Sequence, residues 1–201
     1  MQLDMLLIRH GITAGNQERR YIGQSDDQPL CERGIKELQR RHDRGEYPRC
    51  EAVFTSPMRR CIETARILYP MLVPVALPAL TELDFGSFEG KTYEQLKENS
   101  AYHRWIDTGG EAAPPGGESA SEFALRLCGA LGQIAAQAES GGIRHCAVVT
   151  HGGCIMTLLS RFSVENITDL YQYQVSNGSG FRAVFDAESL RFTSIQPLLI
   201  S

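Results

Sequence analysis

Two histidines in matching surroundings are the residues best equipped for chemistry in this chain. Arg9-His10-Gly11 stands where the short apolar run Met5-Leu6-Leu7-Ile8 stops. A buried strand that ends so abruptly delivers polar groups at its carboxyl end. The run Cys146-Ala147-Val148-Val149-Thr150 ends the same way at His151-Gly152-Gly153. Ligands of open α/β sheets sit outside the carboxyl ends of the strands, so the two histidines are expected to share one pocket. A single histidine is more often structural than catalytic; the repeated setting and the nearby arginines carry the functional reading. Arg9 and Arg60 offer guanidinium forks, Asn16 a neutral donor, and Gly152 a backbone N–H at a helix start. These are the groups that hold a phosphoryl group. A neutral histidine with a fixed tautomer can attack phosphorus, and neighbouring arginines keep it neutral. The leaving alkoxide needs a proton. Glu82, in Thr81-Glu82-Leu83-Asp84-Phe85-Gly86, is the candidate acid, against the plainer reading of a solvated loop carboxylate.

Apolar periodicity and helix caps outline the elements that must position these groups. The pattern predicts strand 5–9, a phosphate-type loop 10–30, helix 31–44, strand 51–55 and helix 57–68. A short strand near 73–77 and an irregular stretch to 91 follow, then helical segments 92–107 and 119–139. Strand 144–150, helix 153–161 and a hairpin of strands near 180–186 and 190–197 complete the chain. Strands alternating with helices imply an α/β three-layer sandwich, a mainly parallel sheet flanked by helices. Ser56-Pro57 reads as an N-cap with proline at the first helical position. Arg59 and Arg60 then fall in the opening turn, where side chains lean back over the strand ends. Ser119 and Glu122 have capping-box spacing, so this serine is read as a cap and not a nucleophile. The break Gly109–Gly117 reads as a long surface loop, which makes residues 1–201 one domain.

Composition removes several classes of function. A hydrophobic fraction of 42% is ample for a core. A net charge of -4 and a pI near 5.8 disfavour nucleic-acid binding by broad phosphate neutralisation. No stretch approaches the length of a membrane span, and the first apolar run is too short for a signal peptide. The six cysteines (31, 50, 61, 128, 146, 154) show neither C-x-x-C nor zinc-ligand spacing. A reduced cytoplasmic protein without a metal is expected. The segment Gly86-Ser87-Phe88-Glu89-Gly90-Lys91-Thr92 approaches an NTPase phosphate loop but has three residues between its glycines instead of four. Phe85 stands where the first glycine belongs and the preceding segment is acidic, so that reading is set aside.

The ordered motifs resemble those of the histidine phosphatase superfamily, the branch that includes the phosphoglycerate mutases, over essentially the whole chain. Arg9-His10-Gly11-Ile12-Thr13 with Asn16 is similar to R-H-G-x-T-x-x-N. Ser56-Pro57-Met58-Arg59-Arg60 with Thr64-Ala65 is similar to S-P-L-x-R-A-x-x-T-A. Glu82 followed by Phe85-Gly86-Ser87-Phe88-Glu89-Gly90 resembles the acid-bearing stretch, and His151-Gly152 resembles the closing motif. The resemblance implies a phosphoglycerate mutase-like fold and a phosphomonoesterase that needs no cofactor and acts on a small phosphate ester. It makes His10 the phosphorylated nucleophile, Glu82 the acid and His151 a donor to the transferring group. Arg9, Asn16, Arg60 and Gly152 become phosphate ligands, with Arg60 rather than Arg59 in that role. A homodimer is compatible with it.

Three departures stand out. Ile12 replaces the usual Glu or Gln and makes the pocket mouth more apolar, Cys31 replaces a helix-capping threonine, and Cys61 replaces an alanine. None removes a catalytic group, which argues against a catalytically inactive binding module. Within the superfamily, Tyr102-His103-Arg104-Trp105-Ile106-Asp107, the chain length and the tail Phe181-Arg182-Ala183-Val184 resemble the alpha-ribazole phosphatases of cobalamin assembly. Ile12, Tyr102 and Trp105 would then form an apolar wall for an aromatic base. Plain amphipathic-helix packing is the alternative for the two aromatic residues. A broad-specificity phosphatase and a phosphoglycerate mutase stay open as alternatives.

Overall fold

The first apolar run lies inside a six-stranded sheet of order β3-β2-β4-β1-β5-β6. The computed structural model describes residues 1–165 and 169–198. Strand β1 (Gln2–Arg9) pairs in parallel with β4 (His145–Thr150), which pairs in parallel with β2 (Ala52–Thr55), and β2 with β3 (Val75–Ala76). Strand β5 (Gly180–Asp186) runs antiparallel to β1 and forms the expected closing hairpin with β6 (Arg191–Pro197). The sheet is thus mainly parallel with an antiparallel edge.

Alternation along each strand builds the three layers. Leu3, Met5 and Leu7 of β1, with Phe54, Cys146 and Val148, face α6 (Ala120–Gly141) and α7 (Gly152–Arg161). Leu6 and Ile8, with Val53, Ala147 and Val149, face α2 (Glu32–Asp43) and α3 (Arg59–Leu68). Strands covered on both faces read as continuous apolar runs, and each fully buried Leu or Ile contributes about 1.5–3 kcal/mol. A smaller cluster of Phe88, Leu96 and Tyr102, joined by Tyr21, Phe85 and Trp105, sits apart from the two main ones. No helix among the described residues is long and apolar enough to cross a membrane.

Several boundaries differ from the sequence reading for physical reasons. Helix α3 starts at Arg59, not at Pro57, because Ser56 does not cap it. The Arg59 amide donates instead to Asp27 Oδ1 at 2.7 Å, and Ser56 Oγ accepts from the Met58 amide at 3.3 Å. The single segment 92–107 divides into α4 (Tyr93–Leu96) and α5 (Ser100–Asp107), because Asn99 Oδ1 accepts from the Ala101 and Tyr102 amides and starts a new helix. A short helix α1 (Ala14–Gln17) stands inside the expected loop 10–30. Ser119 and Glu122 do form a capping box at α6. The 109–117 loop is anchored to the stretch that follows Glu82: the Ser87 amide donates to the Pro115 carbonyl at 2.9 Å. A Cβ on Gly86 would approach that carbonyl to 2.4 Å, and Gly86 also has φ +48°.

Topology assembles the site. Strands β1 and β2 leave a slot between them that β4 fills, so Arg9 lies beside Thr150, and Thr55 beside Val149. The residues just beyond these strands, His10, Ser56 and His151, therefore converge at one end of the sheet.

Candidate active site

His10 leaves β1 buried, its amide bonded to the Thr150 carbonyl at 2.9 Å. Its Nδ1 lies 2.7 Å from the Gly11 carbonyl oxygen. A carbonyl only accepts, so Nδ1 carries the ring proton and Nε2 keeps its lone pair. Burial, then the charges of Arg60 and Arg9, holds the imidazole well below its ordinary range, against the weaker pull of the Gly11 carbonyl. The ring is a neutral base oriented for attack through Nε2. The Gly11 amide donates to Thr64 Oγ1 at 3.0 Å, and that hydroxyl donates to the Arg60 carbonyl at 2.6 Å, which ties the loop to α3.

Arg60 is fully buried, while its neighbour Arg59 has a side chain 60% exposed beside Glu63. Arg60 donates to the Gly23 and Asp26 carbonyls, both at 2.8 Å, and through Nε to His151 Nδ1 at 3.4 Å. Arg9 donates to the Val175 carbonyl at 2.8 Å, and its buried Nε has no protein partner. Neither arginine enters an ion pair among the described residues. Buried guanidinium groups with no carboxylate in ion-pair contact favour an anionic ligand to supply the counter-charge. Gly152 opens α7 beside Arg9, where a Cβ would lie 3.4 Å from Arg9 Nε. An N–H at a helix start adds a donor of the kind phosphate uses.

Glu82 and His151 complete the group. Glu82 is buried and accepts from the Leu83 and Gly153 amides, both at 3.0 Å. Burial pushes its carboxyl above the ordinary range, against the pull of these amides and of Arg60 and Arg9. A Cβ on Gly153 would fall 2.4 Å from Glu82 Oε1, so only glycine allows this approach. His151 is held well below its ordinary range by burial, then by His10 and Arg60. Since Arg60 can only donate, His151 Nδ1 accepts and the Nε2 proton points at Ser56 Oγ, 2.9 Å away. The two imidazole rings meet edge to face with centroids 5.2 Å apart. Cys61 packs 3.6 Å from His151 Nε2, its thiol pushed up to about 12 by burial, and is a small buried group as expected.

The remaining sequence candidates fall around this centre. Asn16, in α1, accepts through Oδ1 from the Thr13 amide at 3.1 Å and from Asn177 Nδ2 at 3.0 Å, which leaves its own NH₂ for a ligand. Ile12 is half-buried on the loop after His10, where its main chain packs against Gly34 of α2. Tyr102 and Trp105 stand in the satellite aromatic cluster and not among the groups around His10. Tyr102 is buried with its hydroxyl 2.6 Å from that of Tyr21, which is packing, while Trp105 is half-buried against Tyr21 and Phe85. Sequence reasoning missed Asn177, which also donates to the His10 carbonyl at 3.0 Å, and the Gly23 and Asp26 carbonyls that seat Arg60. These act through main-chain groups or from more than 160 positions away, and no local pattern marks them.

Comparison with known proteins supplies the family. A profile of the histidine phosphatase superfamily (branch 1) matches residues 5–196. The chain belongs to that superfamily and is a phosphoric monoester hydrolase. It is 28% identical over 176 residues to the adenosylcobalamin/alpha-ribazole phosphatase of Escherichia coli, covering 86% of this chain and 85% of that one. It is 31% identical over 169 residues to the metal-independent phosphoserine phosphatase of Arabidopsis thaliana, covering 80% and 68%. The native structure of a mycobacterial glucosyl-3-phosphoglycerate phosphatase superposes with a TM-score of 0.81 at 26% identity, covering 100% of this chain and 99% of that one.

Proposed function

We propose that this protein hydrolyses a small phosphate ester through a phosphohistidine at His10, without a metal ion, and that the ester is alpha-ribazole 5'-phosphate. The Nδ1 bond of His10 to the Gly11 carbonyl carries the reading, because it leaves Nε2 as a neutral nucleophile. The Nε2 lone pair forms a bond to phosphorus as the ester P–O bond breaks. The departing oxygen takes its electron pair and a proton from Glu82. Arg9, Arg60, Asn16 and the Gly152 amide hold the charge on the phosphoryl oxygens, and His151 joins them once its Nε2 proton exchanges Ser56 Oγ for a phosphoryl oxygen. In the second half, Glu82 removes a proton from water, whose oxygen attacks phosphorus. The P–N bond breaks, its pair returns to Nε2, and inorganic phosphate leaves.

The substrate rests on the named E. coli relative, and Trp105, half-buried in the satellite aromatic cluster, is the side chain proposed to meet the aromatic base. One stacked heterocycle contributes about 1–3 kcal/mol, or roughly 5- to 150-fold in kcat/KM. Six free thiols fit a reducing, cytoplasmic setting. The test is a panel of alpha-ribazole 5'-phosphate, phosphoserine, 3-phosphoglycerate and p-nitrophenyl phosphate, run with and without EDTA. A preference for the ribazole ester that survives EDTA supports the proposal. Equal rates on all esters would leave a broad-specificity phosphatase. Rapid interconversion of 2- and 3-phosphoglycerate would move the protein to the mutases.

A further inference from the structure

Arg126 lies on α6 and touches none of the groups that hold the phosphoryl unit, yet every guanidinium N–H has a partner. Nη1 donates to the Ala79 and Thr81 carbonyls at 2.9 and 2.8 Å, and Nη2 to the Glu82 carbonyl at 2.8 Å and to Glu118 Oε1. Nε donates to Glu118 Oε2 at 3.0 Å, and the guanidinium lies 4.7 Å over the Phe123 ring. The intervening Leu80 carbonyl accepts from Thr150 Oγ1 at 2.8 Å. Every carbonyl from Ala79 to Glu82 is therefore held by a side chain from another element. Beyond Glu82, Glu118 Oε1 also accepts from the Asp84 amide at 2.9 Å. The irregular segment that carries the acid is gripped on both sides of it.

We infer that Arg126, locked by Glu118, is a positioning residue that sets the Glu82 carboxyl against the leaving-group oxygen. The inference rests on the phosphatase reading above. Placement has little slack here, since a Cβ on Gly153 would already collide with the carboxyl. The P–O bond breaks with its electron pair on the ester oxygen. An alkoxide needs the Glu82 proton at that moment, whereas p-nitrophenolate leaves as a stable anion without it. A displaced Glu82 should therefore slow alkyl esters selectively, an effect that general loss of structure would not produce.

The experiment compares kcat/KM for glycerol phosphate and p-nitrophenyl phosphate in Arg126→Met, Arg126→Lys and Glu118→Gln. Misplacing a catalytic group by about 1 Å costs on the order of 100-fold. Arg126→Met should thus lose roughly 30- to 100-fold on the alkyl ester and within about 3-fold on the aryl ester. Arg126→Lys should recover part of the difference, and Glu118→Gln should show a smaller loss of the same selectivity. In a Glu82→Gln background, adding Arg126→Met should bring no further loss on glycerol phosphate. Equal losses on both esters, or a full loss persisting in the Glu82→Gln background, would overturn the inference. If Arg126→Met does not fold, the other two variants read the same ratio. A wild-type protein that hydrolyses neither ester overturns the phosphatase reading and this inference with it. Normal wild-type hydrolysis with unselective variants overturns this inference alone.

Discussion

Replacing Arg60 by methionine removes one positive charge and its donors while keeping most of the buried volume. Arg60 is fully buried, its guanidinium seated on the Gly23 and Asp26 carbonyls and facing His151. A unit charge about 4 Å from a phosphoryl oxygen, at an effective dielectric of about 20, is worth about 4 kcal/mol. Removing it should lower kcat/KM roughly 1,000-fold. The matched control is Arg59→Met. That side chain is 60% exposed and its ion pair with Glu63 spans 3.8 Å, so the change should stay within about 5-fold. Steady-state kinetics with p-nitrophenyl phosphate measure both, and thermal melts separate activity from folding. Some loss of stability is expected in Arg60→Met, since two carbonyls lose their donor. A folded Arg60→Met within 10-fold of wild type, or a larger loss in Arg59→Met, would refute the assignment.

Two further outcomes follow from the same groups. Burial keeps His10 neutral well into acid and keeps Glu82 protonated above its ordinary range. The acid limb of kcat/KM should thus lie below about pH 6.5, and Glu82→Gln should flatten the basic limb. For stability the sign is fixed: folded His10 resists a proton that the unfolded chain accepts below about pH 6.5, so its contribution is lost as pH falls. His10→Gln should remove up to about 1.4 kcal/mol per pH unit from the slope of urea-measured stability between about pH 5 and 6.5, and an unchanged slope would contradict this. Cys31 occupies the N-cap of α2 in extended conformation without a side-chain cap bond. Cys31→Thr should stabilise the protein by about 0.5–1 kcal/mol, and a lower urea midpoint would show that the thiol's packing matters more.

The site's strand-end residues were legible because chemistry and periodicity coincide there. An apolar run covered on both faces has to end in polar groups, and both runs end in His-Gly. Arg9, His10, Arg60, Glu82 and His151 are indeed brought together, and Asn16 sits on the adjoining turn. What stayed hidden acts over long range. Asp27 caps α3 from another loop, Asn177 braces the His10 loop from near the C-terminus, and Arg126 reaches the acid segment from a distant helix. The start of β1 was missed because Gln2 and Asp4 break the apolar run. Asp4 is held in the strand by Arg182 across the sheet. The split at Asn99 was missed because apolar periodicity continues across it, while its side chain offers the backbone a competing partner.

The most direct test is to capture the covalent intermediate. Rapid quenching of the enzyme with a radioactive phosphate ester should yield label that is stable in alkali, lost in acid, and located by peptide mapping on the fragment containing His10. In His10→Ala the label should vanish and kcat should fall at least ~1,000-fold. Label on any other residue, or near-normal turnover in His10→Ala, would contradict a phosphohistidine at the end of β1.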